Sequence, residues 1–311
     1  MTPHLVRLSF TFALIAPALP GQTKADTAFT NGDWATAARL YKELQQKGTV
    51  APGSRVRAGY ATLSVGDAAL AKQYFQAAVD AAPAAGAPVA LAGLAIASAR
   101  LGDDTSALTH LERAVGVGYA NPGALTGDSA FKRIARDPRF AKVVERANLN
   151  AFPCLGDTTA RAFDFWIGEW DVYLTGTDRR VGQSRVDRVS GGCALLENWV
   201  ARESHVNPPG NGTSLNFVEP AKGTWKQVWM GSGRGQTDFV DGRYANGVLR
   251  FSMSSPDANG VMQPGHFLFH NLGPNRVRQV QESSRDGGAT FQTVYDFTYI
   301  RRGSSEPIVR P

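Results

Sequence analysis

The spacing of the apolar residues changes once along this 311-residue chain, and the change limits the folds that the chain can adopt. Between residues 26 and 125, alanine and larger apolar side chains recur every three to four residues, as on an α-helix. Between residues 163 and 302 this period is absent, and apolar residues alternate with polar ones, as in β-strands. The sequence therefore predicts an α+β multidomain protein in which a helical domain precedes an antiparallel β domain.

The predicted organisation has five parts, with the boundary between the two domains in a short segment that contains Pro153 and Gly156. The parts are a signal peptide (1–25), a helical repeat domain (26–150), a linker (151–162), an antiparallel β-barrel (163–302) and a tail (303–311).

Three Gly-Asp turns divide the first half into similar units. They begin at Gly32, Gly66 and Gly102, which are 34 and then 36 residues apart. Each glycine is followed by a small residue and then by a large apolar one, in the pairs Ala37 and Tyr41, Ala71 and Phe75, and Ala107 and Leu111. The small residue allows two helices to approach closely, and the large residue fills the groove between them. This pattern resembles the tetratricopeptide repeat (TPR), a helix–turn–helix unit of 34 residues.

The resemblance covers about residues 26–120 and implies TPR-like helical repeats. Repeats of this kind usually bind peptides in a concave groove, so we expect a protein or peptide partner. A spacer or a dimerisation scaffold has the same sequence pattern and stays an equal alternative.

Strand-like alternation runs through the second half. Phe291, Thr293, Tyr295, Phe297 and Tyr299 would share one face of a strand. Turn signals separate such segments at short intervals; they include Asp241-Gly242, Asn246-Gly247, Asn259-Gly260 and Asp286-Gly287. About ten short strands are predicted, in an antiparallel barrel or sandwich that is closed and leaves no edge exposed.

Several motifs of this half occur in the same order as in a known protein family. They are Phe163-Asp-Phe-Trp-Ile-Gly-Glu-Trp170, Gly192-Cys-Ala-Leu-Leu-Glu197-Asn-Trp199 and Trp225-Lys-Gln-Val-Trp229. Together they resemble a domain-of-unknown-function family of exported bacterial proteins with a lipocalin-like (calycin) β-barrel. The resemblance covers about residues 154–302 and implies that barrel, but no activity. In the family, one cysteine before the opening motif and one in the Gly-Cys strand recur, which implies a Cys154–Cys193 disulfide.

The N-terminus has the pattern of an export signal. Arg7 precedes an apolar stretch from Leu8 to Ala16, and small residues follow. The candidate cleavage sites are Ala16-Pro-Ala18, which has the A-x-A pattern, and Thr23-Lys-Ala25, which has small residues at the same two positions. An uncleaved anchor is the alternative, but the stretch is about half of the ~20 residues that a span requires. We expect a periplasmic or secreted protein with no integral membrane span after cleavage, where an even pair of cysteines favours a disulfide.

The charge distribution argues against nucleic acid as a partner. The formal net charge is +6 for the whole chain. The leader contributes +2, residues 26–150 contribute +3 and residues 151–311 contribute +1, without a block of Lys or Arg. Neither domain is therefore a polycation of the kind that binds nucleic acid.

The sequence contains no recognisable motif for catalysis, metal binding or cofactor binding. The glycine-rich run from Gly231 to Gly235 contains no lysine and precedes no predicted helix, so it does not indicate a phosphate site. The chain has no Gly-x-Ser-x-Gly and no His-Glu-x-x-His. We expect no catalytic residue, metal or cofactor. A haem held by one axial histidine of the β domain, which contains His205, His266 and His270, stays an alternative.

Polar residues that alternate with aromatic ones are the candidate site. Leu195, Glu197 and Trp199 would share one strand face, as would Trp225, Gln227 and Trp229. If such faces line the barrel, they form an aromatic wall with a few hydrogen-bonding groups, as small-ligand sites do. The predicted ligand-binding residues are Trp170, Glu197, Trp199, Gln227, Trp229, Gln281 and Glu282. The alternative is that the tryptophans fill a solid barrel.

These observations favour an exported, non-catalytic binding protein. Its barrel would hold a small apolar or amphipathic ligand, and its repeats would contact another protein. One alternative is an interaction scaffold with a solid barrel. Another is an enzyme that uses a single carboxylate, Glu197 or Glu282, as general base.

Overall fold

The computed structural model describes residues 20–82, 87–202, 210–233 and 235–308. The chain divides into two units after Ala151. The first unit is helical and the second contains a closed antiparallel barrel, so the predicted fold class is confirmed. Residues 1–19 of the predicted signal peptide lie outside the described residues. None of the described helices combines the length and the apolar character that crossing a bilayer requires.

The first unit consists of paired helices followed by two closing ones. They are α1 (Pro20–Thr30), α2 (Trp34–Gln46), α3 (Arg55–Ser64), α4 (Ala68–Asp80), α5 (Pro88–Arg100), α6 (Asp104–Gly116), α7 (Pro122–Gly127) and α8 (Pro138–Ala151). The three predicted Gly-Asp turns join α1 to α2, α3 to α4 and α5 to α6. Residues 20–25, predicted to be part of the leader, form the first half of α1, where Gln22 and Ala25 are buried.

The Gly-Asp turns have a shared physical basis. Gly32, Gly66 and Gly102 have φ angles of +75°, +89° and +85°, a left-handed conformation that glycine adopts without steric cost. In each turn, the aspartate that follows caps the next helix. Its carboxylate accepts a hydrogen bond of 3.0 Å from a backbone N–H of the first turn. The pair therefore ends one helix and starts the next.

Packing between the helices depends on the small residues of the repeat. Ala71 and Phe75 are fully buried in the core of the first unit. The Phe75 ring lies against Gly59 of α3 and Gly93 of α5, at positions where a Cβ atom would overlap it. The two glycines thus provide the space for the ring that joins three helices.

The second unit is a ten-stranded barrel in which each strand pairs antiparallel with the next and β1 pairs with β10. The strands are β1 (Gly168–Leu174), β2 (Arg180–Val189), β3 (Ala194–Ala201), β4 (Gly212–Glu219), β5 (Thr224–Gly231), β6 (Gln236–Ala245), β7 (Val248–Pro256), β8 (Met262–Asn271), β9 (Arg276–Ser283) and β10 (Gln292–Arg301). Closure leaves no free sheet edge, as the turn pattern predicts.

One end of the barrel is filled by the segment that precedes β1. Phe163 and Trp166 are fully buried there, and their rings lie 4.8 and 4.6 Å from that of Phe269. Trp225 Nε1 donates a hydrogen bond of 3.0 Å to the carbonyl oxygen of Thr159, in the short helix α9 (Thr158–Arg161). We name residues 153–166 the plug.

Most of the predicted linker over residues 151–162 belongs to the plug and therefore packs on the barrel instead of joining two domains freely. The predicted Cys154–Cys193 disulfide is present and ties the start of the plug to the turn before β3. The short, mixed composition of this segment resembles a linker, but it packs on the barrel because the aromatic residues that follow it bury apolar area there. The predicted tail is also attached, since Arg276 Nε lies 3.1 Å from Glu306 Oε1. Residues 309–311 lie outside the described part of the chain.

Candidate ligand-binding site

The barrel contains a cavity of about 930 Å³. Its lining reaches the end of the barrel that is opposite the plug, where β1, β3 and β7 end at Leu174, Ala201 and Pro256. A volume of this size lies within the range of pockets that hold small organic molecules. The described barrel is therefore closed at one end by the plug and hollow towards the other.

Two glycines keep the lumen open. The ring of Trp199 lies over Gly182 on the neighbouring strand, where an added Cβ atom would be 2.6 Å from the ring. The ring of Trp229 lies over Gly212 in the same way. A side chain at either position would occupy the space that the tryptophan ring fills. Because glycine has no side chain, both rings can lie against the wall instead of crossing the barrel.

Aromatic side chains form most of the remaining apolar wall. Tyr295 and Phe297 stack with ring centroids 4.7 Å apart and planes 21° from parallel. On another part of the wall, Phe239 and Phe267 stack at 4.2 Å and 26°. All four residues line the cavity. Such flat, stacked faces suit the burial of a flat apolar molecule.

Among the described residues, two acidic ones line the cavity: Asp238, which pairs with Lys226 at 2.8 Å, and Glu197, which is buried. The Glu197 side chain is 2% exposed and accepts hydrogen bonds from Ser184 Oγ at 2.8 Å and Ser214 Oγ at 2.9 Å. Burial raises the pKa of the Glu197 carboxyl from 4.5 to about 7, although both serine hydroxyls act to lower it. The carboxyl can therefore gain or lose a proton near neutral pH.

Other polar groups lie on the same wall. Gln227 lines the cavity and is 2% exposed, and its Oε1 atom has no hydrogen-bond partner among the described residues. Gln279 also lines the cavity, and its Oε1 accepts a hydrogen bond of 3.1 Å from the Tyr299 hydroxyl. Burial and the nearby Glu197 raise the pKa of Tyr299 above its usual range, so its hydroxyl keeps its proton. An unpaired acceptor such as Gln227 Oε1 is available to a ligand.

The structure brings together five of the seven predicted ligand-binding residues. Those that line the cavity are Glu197, Trp199, Gln227, Trp229 and Gln281. Trp170 instead lies in the core near the plug, where its Nε1 donates to the carbonyl oxygen of Trp166 at 2.9 Å. A sequence motif gives no depth along the barrel axis, so it could not show that this residue lies near the plugged end.

Glu282 is a correction. Successive side chains of a strand point to opposite faces, so Gln281 in the lumen places Glu282 on the outer face. There its Oε2 atom lies 3.4 Å from Nδ1 of His266, on the neighbouring strand β8. The two residues could not both have been lumen residues of one regular strand.

The sequence patterns missed the polar partners of the lumen. Ser184 and Ser214 reach Glu197 from the strands on either side of it, 13 residues before it and 17 residues after it. Gly182 and Gly212, which accommodate the tryptophans, lie on the same two strands. Only the register of β2, β3 and β4 brings these residues together, and no single strand contains that information.

The described lining includes no histidine that could serve as an axial haem ligand. His266 stacks on Phe291 at 4.0 Å and contacts Glu282 and Arg250. His205 lies outside the described residues. Among the described residues, no group of three or more His, Cys, Asp or Glu side chains is arranged to hold a metal ion.

No protein family model matches this chain. No curated protein was found to match it. Among solved structures, the chain is similar to the crystal structure of MamA protein, with 16% sequence identity and a TM-score of 0.35. The similarity covers 43% of this chain and 72% of that one. We assign neither fold nor function from a likeness of this size.

Proposed function

We propose that this protein is an exported, non-catalytic binding protein whose barrel holds a small apolar or amphipathic molecule. The observation that carries the proposal is the cavity of about 930 Å³, with aromatic walls and a few buried polar groups. Small-ligand sites combine those two features, because apolar contact supplies affinity and polar groups fix orientation.

The test is native mass spectrometry of the protein purified intact, compared with the same sample after denaturation. We expect an adduct that is present in the native spectrum and absent from the denatured one. In parallel, the uncharged environment-sensitive dye Nile red is titrated into the protein. A clean native mass together with no change in dye fluorescence would contradict the proposal, because an open apolar lumen of this volume should bind such a dye.

For the helical unit, we propose a contact with a protein or peptide through TPR-like repeats. Three consecutive helix pairs with the same glycine turn and aspartate cap support this reading. The expected result is that a fragment of residues 20–151 retains the partners that the whole chain captures. A folded fragment that retains none of them would contradict it.

Export is proposed from the leader pattern and is supported by the Cys154–Cys193 disulfide. Of the two predicted cleavage sites, the one at residues 16–18 leaves α1 complete. Cleavage after Ala25 would remove the first half of α1 and leave Asp26, which accepts a hydrogen bond of 3.0 Å from Ser54, at the new N-terminus. We therefore expect N-terminal sequencing of the exported protein to begin near Leu19. A start at Asp26 would show that the second site is used.

A further inference from the structure

The deep part of the lumen offers acceptors, and the described residues place no cation there. Glu197 and the unpaired Oε1 atom of Gln227 both face the cavity, and both side chains are 2% exposed. The two hydroxyls that reach Glu197 are neutral, so they solvate its charge only in part. A ligand that brings hydrogen-bond donors would satisfy these groups, whereas one that brings further acceptors would not.

The basic side chains of the lining lie at the open end. Arg179 directly precedes β2, and Arg180, the first residue of β2, lies 2.6 Å from Asp171 and pairs with it. Arg202 follows the last residue of β3, five residues beyond Glu197, which is about 16 Å along an extended strand. The lining that the structure describes therefore provides no positive charge beside the Glu197 carboxylate.

The two tryptophans that lie closer to the open end than Glu197 and Gln227 indicate the shape of the apolar part of the ligand. Trp199 lies two residues after Glu197 on β3, and Trp229 lies two residues after Gln227 on β5, so both face the cavity on the side of the open end. Their rings lie against the wall over Gly182 and Gly212 and present broad apolar surfaces to the cavity. A flat apolar body can lie against these surfaces while its polar end points towards the plug.

We propose that the ligand of the barrel is an amine with a flat apolar body, whose N–H groups donate to Glu197 and Gln227 while its body lies against Trp199 and Trp229. This inference rests on the proposed binding function and names the ligand class for the same cavity. An ammonium group would supply the counter-charge that Glu197 lacks, and a hydrogen bond between two charged groups is stronger than one between neutral groups. Binding an amine would also favour the ionised form of a carboxyl whose pKa burial has raised to about 7.

The test uses three probes that share a ring system and differ in the head group: 1-pyrenemethylamine, 1-pyrenemethanol and 1-pyrenecarboxylate. Each is titrated into the whole protein at pH 7.5, and binding is followed by pyrene fluorescence and by quenching of tryptophan emission. We expect the amine to bind at least about tenfold more tightly than the carboxylate, with the alcohol between them. A carboxylate that binds as tightly as the amine would overturn the proposal.

Two variants assign the preference to Glu197. In Glu197→Gln, the amine should lose about tenfold in affinity, while the alcohol should change by less than about threefold. Glu282→Gln makes the same chemical change on the outer face and should leave all three affinities unaltered. Retention of the amine preference in Glu197→Gln would also overturn the proposal.

The failure of this inference and the failure of the proposed function give different results. Equal binding of all three probes would leave a ligand-binding barrel without an amine site. No binding of any probe, in a sample whose circular dichroism shows a folded barrel, would contradict the binding function itself. The comparison of probes on the unaltered protein does not depend on the stability of either variant.

Discussion

Glu197 is a carboxyl group inside an aromatic barrel, with two serine hydroxyls as its hydrogen-bond donors. Burial of a carboxylate is unfavourable, and neutral donors offset only part of that cost. A glutamine would fill nearly the same volume without the charge. A carboxyl group at this position is therefore expected to have a role in binding rather than in packing.

The raised pKa of Glu197 predicts how the stability of the barrel depends on pH. The pKa is about 7 in the folded protein against the ordinary value of 4.5, so between these pH values the folded state binds more protons than the unfolded state. The Glu197 contribution to the free energy of unfolding should therefore decrease by about 3 kcal/mol as pH rises from about 4.5 to about 7. The lowered pKa values of His110, His266 and His270 act in the opposite direction, so this contribution is the difference between the unaltered protein and Glu197→Gln. Urea unfolding of the ligand-free protein across this range measures it.

Glu197→Gln should remove that pH dependence, because the amide does not titrate. Glu282→Gln should keep it, since Glu282 lies on the outer face beside His266. An unaltered slope in Glu197→Gln would show that the buried carboxyl does not control the titration.

At the scale of elements, the lumen depends on how the large side chains of one strand fit the glycines of the next. Gly182 on β2 illustrates this, because its backbone lies beneath the ring of Trp199 on β3. In Gly182→Ala, the new Cβ atom would be 2.6 Å from that ring and 2.7 Å from the carbonyl oxygen of Val200. The ring must then move into the cavity.

We expect Gly182→Ala to weaken binding of the pyrene probes by about tenfold and to destabilise the barrel by about 1–3 kcal/mol. Gly235→Ala is the control, because no atom of a described residue beyond its chain neighbours lies within 4 Å of its added Cβ position. Fluorescence titration and urea unfolding are compared for the two variants. Equal probe affinities would show that Trp199 does not need the space above Gly182.

The helical unit allows the same test on helix packing. Alanine is a better helix former than glycine by about 1 kcal/mol, so propensity alone predicts that Gly59→Ala stabilises α3. The new Cβ atom would, however, lie 2.6 Å from the ring of Phe75. We expect the packing effect to dominate and to reduce the free energy of unfolding by about 1–3 kcal/mol.

Gly116→Ala separates the two effects. Gly116 is the last residue of α6 and is exposed, and no atom lies within 4 Å of its added Cβ position. This variant should be unaffected or stabilised by at most about 1 kcal/mol. If both variants are stabilised in thermal and urea unfolding, Phe75 does not require a glycine at position 59.

An element could be predicted from the sequence where its formation depends only on the residues within it. The Gly-Asp turns and the buried Ala71 and Phe75 follow from the repeat, since the left-handed turn and close helix contact favour those residue types. Alternation likewise placed Glu197 and Gln227 on inward faces. Strand register was not predictable, because it depends on the whole closed sheet, and the two serines beside Glu197 depend on that register. The outer position of Glu282 was predictable once Gln281 was placed inside, since the two are adjacent on one strand.

At the scale of the whole barrel unit, the two ends differ. The plug fills one end with Phe163 and Trp166, whereas the cavity reaches the other end. The sequence did not reveal the plug, because residues 151–162 have neither a helical nor a strand-like apolar period. Their position depends on tertiary packing against the barrel. An aromatic plug turns a tube into a pocket with one entrance, which is the shape that ligand binding requires.

The Cys154–Cys193 disulfide joins the plug to the barrel wall and closes a loop with a sequence separation of 39 residues. On the chain-entropy estimate, a loop of this length stabilises the folded state by about 4 kcal/mol. We expect the double variant C154A/C193A to unfold at a clearly lower urea concentration than the unaltered protein. Addition of a reductant should shift the unaltered protein in the same direction and should not affect the variant.

Probe binding separates this stabilising role from a role in the site. The disulfide lies at the plugged end, near Leu155 and Gly192, while Glu197 and the tryptophans line the cavity towards the open end. The affinity for 1-pyrenemethylamine in the absence of urea should therefore stay within about threefold in C154A/C193A, because the bond acts mainly on the unfolded chain. A larger loss of affinity in a variant that still folds would mean that the plug sets the shape of the lumen. The stability of the closed end and the ligand affinity of the pocket would then depend on the same packing of the plug.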